Sequence, residues 1–313
     1  MIEAEGLTKR VENFLAVDSI NLNVAQGEVL ALLGPNGAGK TTTVRMLTSI
    51  LRPTSGKARV AGYDVVTQAP KVRAAVGVLT ESHGLYGRMP ADEYLDFFGR
   101  VYGMPPAERR KQVDLLLENF GLAEARHRRI GEYSKGMRQK LALARALIHS
   151  PAVLLLDEPT SAMDPESARL VRDSIHDLRS ANRTIVICTH NLPEAEELAD
   201  QIAIIWRGKV IAEGSPDDLK KKMLGTPEYD VHLAQACDAI PDKLAEIVEL
   251  TGRGPDWFRF RTPDSRRDNP QVLQFLADLH IPVVSLEEVN RSLERVYLQA
   301  VNAEDEKHAN YDR

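Results

Sequence analysis

The stretch Gly27–Gly56, "GEVLALLGPNGAGKTTTVRMLTSILRPTSG", decides the fold. Val29 to Leu33 is an unbroken apolar run, the mark of a strand buried on both faces of a parallel sheet. Gly34-Pro35-Asn36-Gly37-Ala38-Gly39-Lys40-Thr41 follows at once and fits G-x-x-x-x-G-K-[ST] in full. Glycines in this pattern let backbone N–H groups curl around a phosphate chain. Lys40 reaches the β and γ phosphates, and Thr41 offers its hydroxyl to Mg²⁺. Thr42 continues the loop into a helix whose positive end faces the anion. Val44, Leu47, Ile50 and Leu51 share one face of that helix, and Pro53 and Gly56 are expected to stop it. A glycine-rich turn with a chance lysine is disfavoured, because the required strand and helix flank the loop.

Further along, "AVLLLDEP" (152–159) and "RTIVICTH" (183–190) read as two more buried strands, with the helical run 166–181 between them. Strand alternating with helix implies a parallel α/β core. Asp157, at a strand end, puts a carboxylate within reach of a P-loop Mg²⁺. Beside it, Glu158 can polarise an attacking water. His190 ends a strand that delivers it to the same carboxyl edge, where α/β sheets bind ligands. Its expected role is contact with a γ-phosphate. A second helix start lies in "YSKGMRQK" (133–140), followed by a stripe of Met137, Leu141, Ala144 and Ile148. Ser134 and Gly136 sit where free N–H groups and a positive dipole gather. Two uses stay open from the residues alone: an ordinary capped helix, or a helix that closes over a nucleotide held by another copy.

The 313 residues carry a net charge of −5, with 43% apolar and 27% charged residues. These values are ordinary for a globular chain and give no general attraction to nucleic acid. Cys188 and Cys237 match neither a disulfide framework nor zinc spacing. Met1–Arg10 has no apolar core and is not expected to be a signal peptide. No run of about 18 apolar residues is present, so a membrane role requires a partner chain. Residues 91–120 are helix-rich. A linker is expected near Gly225-Thr226-Pro227. After it, 229–234, 257–262 and 281–286 read as strands, and 240–252, 269–280 and 289–301 as helices. The last dozen residues, from about Asn302, are expected to fray.

The order of 34–41, 134–138, 157–158, 161–164 and 190 strongly resembles the ATPase subunit of ABC transporters, over about Ile2 to Met223. "YSKGMRQ" is similar to that family's "LSGGQ" signature. The resemblance implies an α/β P-loop NTPase of the ABC-cassette type, with ATP and Mg²⁺ as cofactors. The cassette would span 1–224, with a helical subdomain at about 85–150. A small α+β domain would span 225–301 and a tail 302–313. Two copies are expected to pair head to tail as a homodimer, so that Ser134 and Gly136 contact the γ-phosphate bound by the other copy's P-loop. Asp164 matches the loop at the dimer interface, Glu158 the catalytic glutamate and His190 the switch histidine. An integral membrane permease on separate chains would hold the pair at the cytoplasmic face of the membrane.

Three departures narrow the resemblance. Lys135 and Met137 replace a glycine and the glutamine of the signature. Glu81 stands at the family's Q-loop glutamine, where it can still offer an oxygen toward Mg²⁺. Val11 occupies the place of the aromatic that stacks on adenine, and Phe14 is the candidate substitute, the alternative being a half-buried core residue. The combination of Lys135, Met137 and Glu81 resembles the ABC-2 type exporters, and "SLERVYLQAV" is similar to their C-terminal domain. The expected function is ATP hydrolysis that powers export of an unidentified cargo. The alternative is a soluble ABC ATPase acting on nucleic acid or ribosomes. It is disfavoured because the chain has one cassette, no coiled-coil arm, no zinc cysteines and an acidic balance.

Overall fold

Runs of leucine and β-branched residues form the central strands, and the glycines between them turn the chain. The computed structural model describes residues 1–80, 84–161, 163–180, 182–236, 242–289 and 291–311. A first compact unit, Met1–Pro216, begins with β1 (Ile2–Val11), β2 (Phe14–Val24), β3 (Val29–Leu33), α1 (Lys40–Leu47), β4 (Ser55–Val60) and β5 (Tyr63–Asp64). Then come α2 (Ala69–Ala75), β6 (Val76–Leu79), α3 (Ala91–Val101), α4 (Pro106–Asn119) and α5 (Lys135–Leu147). The unit closes with β7 (Val153–Asp157), α6 (Pro165–Ser180), β8 (Thr184–Thr189), α7 (Leu192–Leu198), β9 (Gln201–Trp206) and β10 (Lys209–Gly214).

The central sheet has the order β10-β9-β3-β8-β7-β6 and is parallel apart from the β9–β10 pair. Its register sets Leu33 beside Thr189 and Asp157 beside Cys188, so the chain leaves β3, β7 and β8 at one edge. Alternate side chains serve two cores, as the pleat requires. Leu154, Leu156, Ile185 and Ile187 pack with Leu95, Leu117 and Leu141 of α3, α4 and α5. Val153, Leu155, Val186 and Cys188 pack with Leu7, Val17 and Met46. Burying each such Val, Leu or Ile contributes about 1.5–3 kcal/mol, so the strands that carry the site are among the firmest parts of the unit. The second core lies under a further sheet, β2-β1-β4-β5, whose strands are antiparallel and which the parallel pattern does not anticipate.

The second unit, Asp217–Arg313, takes up α8 (Pro216–Leu224) and contains β11 (Glu228–Leu233), β12 (Glu249–Arg253), β13 (Trp257–Arg261), α9 (Ser265–Asp278), β14 (Val283–Glu288) and α10 (Leu293–Tyr311). An antiparallel sheet of order β12-β13-β11-β14 lays Val231, Phe258 and Phe260 against Val272 and Leu276 of α9. The division falls ahead of the Gly225 linker. Arg291 reaches α8 and the residue after it, its guanidinium donating to Lys220 O (2.9 Å) and Gly225 O (2.6 Å).

Two local expectations are corrected. Helix α1 stops at Leu47, because Ser49 turns to φ 57° and the N–H groups of Ile50 and Leu51 both donate back to Arg45 O, leaving Ile50 exposed. The run 240–252 is not a helix where it is described. It holds a short 3₁₀ turn at Asp242–Glu246 and then β12, because Leu250 pairs with Phe260 and packs on its cluster. Tertiary pairing outweighs a helical period there. Helix α10 runs from Leu293 through Asn302 to Tyr311.

Candidate functional site

The loop between β3 and α1 folds tightly under the sheet edge. Gly39 has φ 111°, which L side chains rarely adopt, and a Cβ there would lie 2.7 Å from Ala16 O. Lys40 is buried, and its ammonium donates to Gly34 O (2.5 Å) and Pro35 O (3.1 Å). The Thr41 hydroxyl donates to Asp157 Oδ2 at 2.9 Å. A cavity of about 220 Å³ opens over the loop, lined among others by Phe14, Gly37, Lys40, Thr42, Asp157 and Glu158. Phe14 is 64% exposed at this cavity, so it is not a core residue. Val11 is its partner across the end of the β1–β2 hairpin and is not among the lining residues.

Glu158 has φ 52°, left-handed for a residue with a side chain. Such a conformation costs on the order of 1–3 kcal/mol and persists only where its surroundings over-determine it. Here the Glu158 N–H donates to Cys188 O (2.8 Å). On the other side, the Gln139 amide donates to the carbonyls of Glu158 (3.3 Å) and Pro159 (2.7 Å). The Glu158 carboxylate is nearly buried, and its Oε1 lies 2.7 Å from His190 Nδ1. A carboxylate only accepts, so Nδ1 is the nitrogen that carries the proton in this pair. Glu194 on α7 ties the neighbouring segments together. Its buried carboxylate accepts from the hydroxyls of Thr160 (2.6 Å) and Thr189 (2.8 Å). Burial pushes the Glu194 carboxyl above its usual range, the two threonine hydrogen bonds oppose this, and the nearby Glu158 charge adds to it.

Ser134 and Gly136 lie at the start of α5 and do not line the P-loop cavity. The Ser134 Oγ accepts from Met137 N (3.2 Å), which caps the helix. A Cβ on Gly136 would stand 3.2 Å from Ser167 Oγ and 3.8 Å from Asp164 Oδ2, so this helix start adjoins the Asp164 segment. Asp164 is exposed and accepts from Ser167 N (2.9 Å), a bond that holds its carboxyl below the usual range. Lys135 is exposed, whereas Met137 packs on the core. Glu81 lies outside the described residues.

Thus the P-loop, Asp157, Glu158 and His190 meet at one sheet edge, and Ser134 and Gly136 stand apart from it. Gln139 and Glu194 escaped the sequence reading. The signal for Gln139 was a polar head on an otherwise apolar stripe, Ala142, Leu143 and Ala146. For Glu194 it was the Asn191-x-x-Glu spacing, which looks like a mere helix cap. Among the described residues, no group of three or more His, Cys, Asp or Glu could hold a metal ion by itself, and no helix is long and apolar enough to cross a membrane.

Comparison with known proteins places this geometry. The family model described as "ABC transporter" matches residues 17–161. The chain is 42% identical over 235 residues to the daunorubicin resistance ATP-binding protein DrrA3 of Streptomyces coeruleorubidus, covering 75% of this chain and 74% of that protein. It is 38% identical over 304 residues to the daunorubicin/doxorubicin resistance ATP-binding protein DrrA of Streptomyces peucetius, covering 95% and 91%. Among solved structures, the dimeric post-hydrolysis state of the ATP-binding cassette MJ0796, bound to ADP and Pi, aligns with a TM-score of 0.63 at 25% identity, over 69% of this chain and 98% of that one. With a complete P-loop facing Asp157 and Glu158 and relatives matched over most of their length, the chain belongs to the ATP-binding subunits of ABC transporters and is an ATPase.

Proposed function

We propose that the chain hydrolyses ATP as one of two head-to-tail copies that drive export through a separate membrane permease, on the cytoplasmic face of the membrane. The observation that carries this reading is the contact of two pairs at one edge, Thr41 with Asp157 and Glu158 with His190. The likeness of nearly the whole chain to a drug-resistance ATP-binding protein supports export, and the dimeric state of the solved neighbour supports the pairing of two copies.

The loop N–H groups and Lys40 grip the phosphates, the ammonium keeping one N–H beyond the two that hold the loop. Thr41 and Asp157 would hold Mg²⁺, since a hydroxyl and a carboxylate 2.9 Å apart are hard oxygen donors of the kind this ion takes beside phosphate oxygens. When bound, that ion neutralises charge on the β and γ phosphates. Glu81 would sense the ion and its water. Glu158 orients the attacking water and accepts its proton. His190 donates from Nδ1 to the Glu158 carboxylate, and as an imidazolium it would also donate from Nε2 to the γ-phosphate. Phe14 stacks on the base at the cavity mouth. Ser134 and Gly136 meet the γ-phosphate held by the other copy. The cargo is chosen by the permease.

Glu158→Gln should bind ATP normally, lose about 10²–10⁴-fold in turnover, and elute as a dimer on gel filtration with ATP and Mg²⁺. Wild-type turnover in this variant would remove Glu158 from the mechanism. Export coupling is tested by fractionation. The chain should sediment with membranes only when one particular integral membrane protein is co-expressed, and sedimentation with ribosomes or nucleic acid would favour the soluble alternative.

A further inference from the structure

We propose that Gln139 is a positioning residue for Glu158, and that it links the start of α5 to the water-activating carboxylate. The role rests on Glu158 activating water and on Ser134 and Gly136 meeting nucleotide bound by a second copy. Gln139 is 5% exposed. Its neighbours along the same stripe, Ala142, Leu143 and Ala146, are all buried and apolar, so a polar side chain here is not explained by solvent. A buried amide is tolerated only when hydrogen-bonded. Both acceptors of its NH₂ belong to one turn, the carbonyls of Glu158 (3.3 Å) and Pro159 (2.7 Å). That turn is the strained one. Glu158 stands at φ 52° and must be held from outside. Strand β8 holds its N–H through Cys188 O at 2.8 Å, and α5 holds its carbonyl through Gln139.

The same helix begins at Ser134, five residues earlier, a separation of about 7.5 Å along the axis. Ser134 caps and Gln139 lies within one continuous hydrogen-bonded helix, which ties the position of one to that of the other. Its first turn adjoins Asp164 and Ser167 through Gly136, on the segment that follows Glu158 in the chain. A nucleotide fixing Ser134 and Gly136 therefore also fixes the amide that clamps the Glu158 backbone. Hydrolysis by one copy's Glu158 is thereby sensitive to the nucleotide that the same copy's α5 touches. The coupling runs through contiguous bonded groups rather than through distance alone.

The test is a set of kinetic cycles on the full chain. Gln139→Met keeps the length and packing and removes both donors. It should melt close to wild type, bind ATP within about twofold, keep KM, and lose on the order of tenfold in kcat. In a Glu158→Gln background it should cause no further loss. Ser134→Ala should lower kcat by a smaller factor in the Gln139→Met background than in the wild type. Wild-type kcat in Gln139→Met, or an equal loss in the Glu158→Gln background, overturns the positioning role. Equal Ser134→Ala factors in both backgrounds overturn the link to α5. Wild-type turnover of Glu158→Gln defeats the underlying reading of Glu158, and this role with it, whereas an impaired Glu158→Gln beside a fully active Gln139→Met defeats this role alone. If Gln139→Met melts far below wild type, Gln139→Glu takes its place. It keeps the shape and turns oxygen toward both carbonyls, and full activity of the folded protein overturns the proposal.

Discussion

Two side chains at the site show what a single residue contributes. Phe14 stands 64% exposed at the P-loop cavity, at the end of a hairpin whose other side chain is Val11. An exposed ring is not there for the core, and stacking on a base contributes about 1–3 kcal/mol. Phe14→Ala should therefore weaken ATP binding by about 5–150-fold and leave the melting temperature unchanged, as titration calorimetry and a thermal melt will read. Unchanged affinity would mean that the base is held elsewhere. Glu194 makes the opposite case, a carboxyl that burial raises above its ordinary range. Its contribution to stability is fully present below the ordinary glutamate value and is lost as pH rises through the folded value. Glu194→Gln cannot titrate. The Tm advantage of wild type over Glu194→Gln should shrink steadily as pH rises through that window, and a constant difference would show that folding does not raise this carboxyl.

Helix α5 carries three kinds of residue on one element. Ser134 caps it, Gly136 lies against Ser167, and Met137 packs on the core while Lys135 points into solvent. Ser134→Ala should cost about 1 kcal/mol of stability through the lost cap. Substitutions at Lys135 should be silent in denaturant titrations. Turnover separates the two functions of the helix start. Lys135→Gly should keep hydrolysis, although weaker ATP-driven dimerisation is expected if its charge assists the γ-phosphate. Ser134→Glu should abolish hydrolysis by setting like charge against that phosphate. Full hydrolysis by Ser134→Glu would reduce α5 to a capped helix.

At the scale of the whole molecule, the separation of Ser134 and Gly136 from the P-loop cavity is the feature that asks for a second copy. Lys40→Ala disables a chain's own loop, and Ser134→Glu disables the partner's site. Mixed heterodimers combine both defects in one site and leave the other site intact. ATPase activity should return on mixing the two inactive proteins, up to about half per heterodimer if the sites act independently. If both sites must fire together, activity stays near zero while one ATP per heterodimer still binds. Neither recovered activity nor retained ATP binding would leave composite sites without support.

The local chemistry was legible in the chain before any fold was known. The eight residues from Gly34 to Thr41, the apolar runs ending at Asp157 and Thr189, and the capped helix at Ser134 each depend on neighbours in sequence, through hydrogen-bonding groups and side-chain period. Short-range periodicity failed where a distant strand decided the outcome. Leu250 was drawn into β12 by Phe260. The antiparallel sheet β2-β1-β4-β5 was likewise invisible, because its two hairpins are joined only by the β1–β4 pairing of segments far apart in the chain, such as Ile2 with Val60, 58 residues on. The clamp on Glu158 belongs to the same class. The left-handed turn at Glu158 has no pattern in the chain, and the local signals at Gln139 and Glu194 do not name their partners; only the packing of α5, β8 and α7 around one turn brings the three together. Local residue type determined what the site can bind, and tertiary packing decided what holds its acid in place, because a buried polar group takes its partners from whatever the fold sets beside it.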